Sequence, residues 1–248
     1  MLTTSLSRIW IAALVLSLSM GGAQAQEQEQ DAASEAWADY LQSETEEEMF
    51  TAIRTLVGEG DDALDFLNDE FDGASGDEQL DITYFTATII SQGGLPIERP
   101  VPLPEALAEK LAGLLDTSDD AAVHGNIANI AAAAGPSMSA AAPGLLELLR
   151  RTEDPGMRAT VSVALGVMGE EVLPLLHDEL RNGEDDRVRG DIAWIMAGTD
   201  MPDDVLAAIE ELLDSDNPET REKAVRTLRD SGLTTDNDAV VTAAIANL

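Results

Sequence analysis

The chain of 248 residues contains no cysteine, two histidines, two lysines and 4% aromatic residues. Without cysteine there is no disulfide framework, no thiolate metal site and no lipid attachment through a cysteine. With only His124 and His177, on separate helical segments, the paired histidines of a zinc site are missing. So few aromatics leave a core of Leu, Ala, Val and Ile. Lysine and arginine together number 14 against 48 acids, a net charge of −34. No basic patch is present to release counterions from a nucleic acid, and anionic lipid is repelled. The same field keeps the chain soluble and is an adaptation suited to salt.

Other chemistry is missing too. No Gly-rich phosphate loop occurs, since Gly93-Gly94 and Gly21-Gly22 lack the spacing. Ser137-Met138-Ser139 offers no nucleophile elbow. Asp214-Ser215-Asp216 begins like a calcium loop but lacks its glycine and closing glutamate. Acid pairs such as Asp61-Asp62, Asp119-Asp120 and Asp203-Asp204 read as helix caps and solvated charge. Neither catalytic residues nor a cofactor or metal are expected.

What is present begins with Arg8, an apolar run from Ile9 to Met20, and Ala23-Gln24-Ala25. This is the pattern of a secretory signal peptide over 1–25, cleaved before Gln26, which predicts a periplasmic or secreted protein. Residues 26–34 read as a flexible acidic leader. Helical periodicity over 35–94 predicts an N-terminal region of degenerate repeats: Trp37/Tyr40/Leu41, Met49–Val57 ended by Gly58, Leu64–Phe71 ended by Gly73, and Leu80–Ile90, whose β-branched residues could also make a strand. Four prolines, at 96, 100, 102 and 104, make 95–104 a loop.

From residue 105 a unit recurs. Number each copy from its Arg or His as position zero: His124, Arg158, Arg189 and Arg221 lie 34, 31 and 32 residues apart. Four residues earlier stand Asp120, Asp154, Asp185 and Asn217, placed to cap a second helix, with Pro155 and Pro218 next, where proline fits the first turn. Gly135 and Gly169 follow position zero by eleven; Gly198 comes early and Gly232 keeps the spacing. Each unit opens with a Leu-rich first helix, and Asp238–Leu248 reads as a terminal capping helix. A period in this range means stacked repeats.

Pro174-Leu175-Leu176, Asp185-Asp186-Arg187-Val188-Arg189 and Asn217-Pro218-Glu219-Thr220-Arg221-Glu222-Lys223-Ala224 resemble the HEAT-repeat family. The resemblance covers 105–232, and 35–94 by periodicity alone; it implies an all-α, right-handed solenoid of about six stacked antiparallel helix pairs plus a terminal helix, with the repeat array over 105–248. It implies that Arg158, Arg189 and Arg221 pair with acids in neighbouring turns, and that His124 departs from this. It also implies a scaffold that binds proteins or peptides on its concave side, although some relatives are bilin lyases.

Positions +3, +4 and +7 of the second helices are small or apolar and should face the core. Positions +1, +5 and +9 fall on the opposite side: Gly125/Asn129/Ala133, Ala159/Val163/Val167, Gly190/Trp194/Gly198 and Glu222/Arg226/Asp230. The middle copies are apolar where a solvated stripe is expected, which marks an interaction patch. Trp194, Val163, Val167, Asn129 and Arg226 are the candidate partner-binding residues, for a protein or peptide of basic or amphipathic character. The competing expectations are a lyase-like or chaperone protein acting on a small ligand, and a salt-adapted acidic structural protein with no specific partner.

Overall fold

The computed structural model describes residues 24–91, 103–197 and 201–230. Residues 1–23 of the expected signal peptide (1–25), most of the proline-rich loop, Gly198, Gly232 and the expected terminal capping helix lie outside them. Two compact units divide the chain, one ending at Gly73 and the other starting at Ala74.

The first unit holds α1 (Gln24–Gln42), α2 (Glu46–Gly58) and α3 (Asp61–Phe71). The segment expected to be a flexible leader belongs to α1 instead. Gln, Glu and Ala are strong helix formers, and Ala33, Ala36 and Trp37 give the helix a buried stripe that includes the leader's own Ala33. A capping box starts α2: the Thr45 hydroxyl accepts from the Glu48 amide, and the Glu48 carboxylate accepts from the Thr45 amide. Leu56, Leu64 and Leu67 fill the unit's interior.

The second unit opens with α4 (Gly76–Ser91), which is a helix despite its threonines and isoleucines. Thr83 and Thr88 turn their hydroxyls back onto the Leu80 and Tyr84 carbonyls, and Ile82, Phe85 and Ile90 are buried. Four antiparallel pairs come next: α5 (Glu105–Thr117) with α6 (Ala121–Ala134), α7 (Ala142–Arg151) with α8 (Pro155–Val167), α9 (Leu173–Asn182) with α10 (Asp186–Ile195), and α11 (Asp203–Glu211) with α12 (Pro218–Asp230). Every predicted cap is made. Asp120, Asp154, Asp185 and Asn217 accept amides of the first turn at 2.7, 2.6, 2.8 and 2.9 Å. The repeated glycine ends its helix by taking positive φ, 59° at Gly135 and 84° at Gly169, which other residues rarely adopt.

The second helices stack in series, α4 on α6, α6 on α8, α8 on α10 and α10 on α12. The +3, +4 and +7 residues of all four regular units are buried, so this layer closes onto the first helices. No unit can bury its Leu-rich face alone, and stacking supplies the rest of the core.

Candidate functional site

Position zero closes each unit from within. Arg158 donates to the carbonyls of Leu149 and Thr152 at 3.0 and 3.5 Å, nine and six residues back. Arg189 donates to Leu180 at 2.9 Å and Arg221 to Ser215 at 2.7 Å, the same two offsets. These carbonyls lie at or just past the ends of the first helices, where the last carbonyls have no partner within the helix. His124 covers only the offset of six, through Ser118 at 2.8 Å. The carbonyl nine back, Leu115, is reached from the next unit by Arg151 at 3.5 Å, which also touches His124 at 3.3 Å.

The links to neighbouring units run to helices rather than to turns. Arg158 pairs with Asp191, inside α10, and Arg189 reaches the Ala208 carbonyl and Glu211, at the end of α11. No acid of a neighbouring turn is among the ion-pair partners of Arg221 in the described residues, and the segment 231–248 lies outside them. Asp191 belongs to the next second helix and Glu211 to the next first helix.

Asp191 is the centre of the site. It accepts from Arg158 of α8 and, at 2.5 Å, from Lys223 of α12, so one carboxylate ties three successive second helices. The side chains of Arg158, Asp191 and Lys223 are only 11%, 6% and 21% exposed. Burial opposes the charge on Lys223, but hydrogen bonds to Asp191 and Glu219 outweigh it and hold the ammonium above its ordinary pKa. The bond from Lys223 holds the Glu219 carboxyl below its own. Alongside, Arg187 donates to Glu153 at 2.8 Å, which raises the guanidinium pKa.

Above this network lies a groove of about 470 Å3, lined by Trp194, Ala159, Ser162 and Pro155 and by the charged residues just named, with Glu222 and Arg226. Basic residues, scarce in the chain, converge there: Arg158, Arg187, Lys223 and Arg226. Trp194, Val163 and Val167 are exposed by 44%, 46% and 40%. Trp194 therefore does not fold away into the core. Asn129 is exposed on α6, and Arg226 is exposed on α12, paired with Glu222 one turn back. Residues 129, 163, 194 and 226 hold the same +5 register on consecutive helices. Trp194 and Arg226 meet in the groove, while Val163, Val167 and Asn129 extend the face beyond it.

One member of the expected stripe is elsewhere. Gly190 is buried, and a Cβ there would meet Thr220 Cγ2 at 3.1 Å and Cα at 3.3 Å. The glycine serves close approach of α10 and α12, which places Trp194 beside Arg226. The face also gains a residue that periodicity missed. Asn126 donates to Thr83 at 2.9 Å, a +2 residue reaching back to the preceding helix as Asp191 reaches Arg158. That bond puts Thr83 at position zero and the exposed Tyr84 at +1. Without an Arg in α4, only the pairing reveals the register.

A second cleft, of about 920 Å3 in the first unit between α1 and α2, is lined by five carboxylates, Glu35, Asp39, Glu44, Glu47 and Glu48, with no cation or aromatic. Among the described residues no three His, Asp or Glu side chains converge as metal ligands, and no single helix is long and apolar enough to cross a membrane.

The model of the HEAT repeats matches residues 108–197 and 173–248. No curated protein matches the chain. Among solved structures, human deoxyhypusine hydroxylase in complex with glycerol is similar at 19% identity, over 91% of this chain and 96% of that one, with a TM-score of 0.29. That score is too low to compare sites. The family match spans more than half of the chain and coincides with the four helix pairs and their caps. The chain belongs to the HEAT-repeat family.

Proposed function

We propose that the protein is an exported, non-catalytic scaffold that binds a protein or peptide partner on the face of its second helices, centred on Trp194. The observation that carries this reading is the half-exposed indole over a fixed ion-pair network. Large aromatic side chains left at a surface are favoured binding anchors, and an apolar patch on so charged a protein is otherwise a liability. The groove around it is rigid, because Asp191 holds three helices together, and a preorganised surface loses less entropy on binding.

Arg8, the apolar run and Ala23-Gln24-Ala25 support export. N-terminal sequencing of the mature protein should begin at Gln26. For binding, immobilised wild type and Trp194→Ala are exposed to proteins of the cell envelope, and retained species are compared after both variants show the same unfolding midpoint. A partner held by wild type should lose about 2 kcal/mol or more of affinity with the variant. Equal retention by both would sink the reading.

A further inference from the structure

The exposed face has a charged edge that repeats with the units. Five residues before each position zero stands a carboxylate: Asp119, Glu153, Glu184 and Asp216. The residue after each is the helix cap, so the fold consumes that one. The carboxylate before it is left at the surface, and all four are exposed. Glu153 lines the Trp194 groove, and the series α6, α8, α10, α12 strings the four turns along one side of the same face. Arg158 and Lys223 lie beneath, held down by Asp191, and the exposed Arg226 is paired with Glu222 one turn back, whereas Glu153 and Glu219 expose 82% and 68% of their side chains. An arriving partner therefore meets a negative rim and an indole.

The spacing of that rim selects a backbone. Packed helices lie about 8–10 Å apart, so successive rungs recur at about that interval. A polyproline II segment repeats its side-chain direction every third residue, and three residues advance about 9.3 Å. A β-strand alternates sides at every residue and would turn each third side chain away. We propose that this edge binds a polyproline II segment of a partner protein that carries a basic side chain at every third position, with an apolar side chain seated on Trp194. Each rim pair is weak, and together they set register and direction. At the second rung Glu153 also accepts from Arg187, so a partner's cation there joins an existing pair. The inference rests on the binding reading above and adds to it the partner's conformation and charge period.

The test uses the full-length mature chain and fluorescein-labelled, proline-rich peptides followed by anisotropy. One peptide has arginine at every third position and a single leucine. A second has the same composition with the arginines in one block. The spaced peptide should bind about tenfold more tightly than the blocked one. D119N/E153Q/E184Q/D216N should weaken the spaced peptide about tenfold, while E105Q/E109Q/E170Q/D178N, an equal loss of exposed charge on or just before the first helices of the same unit, should change it less than about twofold. If the edge variant fails to fold, E184Q/D216N against E109Q/D178N carries the same comparison. Equal loss in both charge variants, or indifference to arginine spacing, overturns the ladder. If Trp194→Ala still weakens binding in that case, the scaffold reading survives; if no peptide responds to Trp194 at all, both fall.

Discussion

Asp191 accepts from Arg158, thirty-three residues before it, and from Lys223, thirty-two residues after it. The three side chains belong to consecutive second helices, so the carboxylate is a tie across the array as well as the floor of the groove. Replacing it with Asn would leave the nearly buried Arg158 without a counter-charge and Lys223 with the exposed Glu219 alone. Removing one member of such a set costs about 3 kcal/mol. Asp191→Asn should lower the urea midpoint accordingly, whereas Lys223→Met, which leaves Arg158 paired, should cost about 1 kcal/mol. Equal effects of the two would mean that the carboxylate is not the hub.

Gly190 lets α10 lie against α12. A methyl group there must displace Thr220, whose backbone Cα as well as Cγ2 is in the way. Overpacking of this kind costs about 1–3 kcal/mol. Gly190→Ala should be destabilising, and Thr220→Ala should recover part of the loss by removing Cγ2. Thermal unfolding of the two single variants and the double variant checks this. Strict additivity would show that the two residues do not touch in solution.

Much of this architecture was legible in the chain, because caps, helix stops and leucine stripes are local. Asp154 beside Pro155 needs only its own turn to declare a helix start. The +5 register of Trp194 likewise comes from helical geometry alone. What stayed hidden depends on distances between helices. Gly190 occupies a face position by angle, yet it is buried because α12 comes close. Tyr84 joins the face through the Thr83–Asn126 bond, which no periodicity in α4 announces. Residues 26–34 looked polar enough to be a leader, but Ala33 finds a buried place in the first unit.

His124 and Arg151 divide the work that one arginine does elsewhere. His124 takes the Ser118 carbonyl, and Arg151 supplies the guanidinium at Leu115 from the following unit. Arg151→Ala should therefore cost about 1–2 kcal/mol, more than an exposed arginine normally would, by leaving a helix-end carbonyl unpartnered. Introducing the family's residue with His124→Arg should remove most of that cost in the double variant. A double-mutant cycle from chemical denaturation measures the coupling. A coupling energy near zero would mean that Arg151 does not stand in for the missing arginine.

His177 gives stability a pH dependence of definite sign. Its Nε2 is buried with no hydrogen-bond partner in the described residues. Burial is the main cause holding the imidazole below its ordinary value of 6.5, with repulsion from Arg181 adding to it and Asp204 acting against it. The unfolded chain therefore binds this proton more readily than the folded one. Stability is unaffected by His177 well above pH 6.5, falls as the pH drops below that value, and stops falling once the folded imidazole is also charged. His177→Gln removes the group without changing the helix. Between about pH 7.5 and pH 5 its unfolding midpoint should decline less than that of wild type. Parallel curves for the two proteins would show that folding leaves the imidazole pKa unchanged.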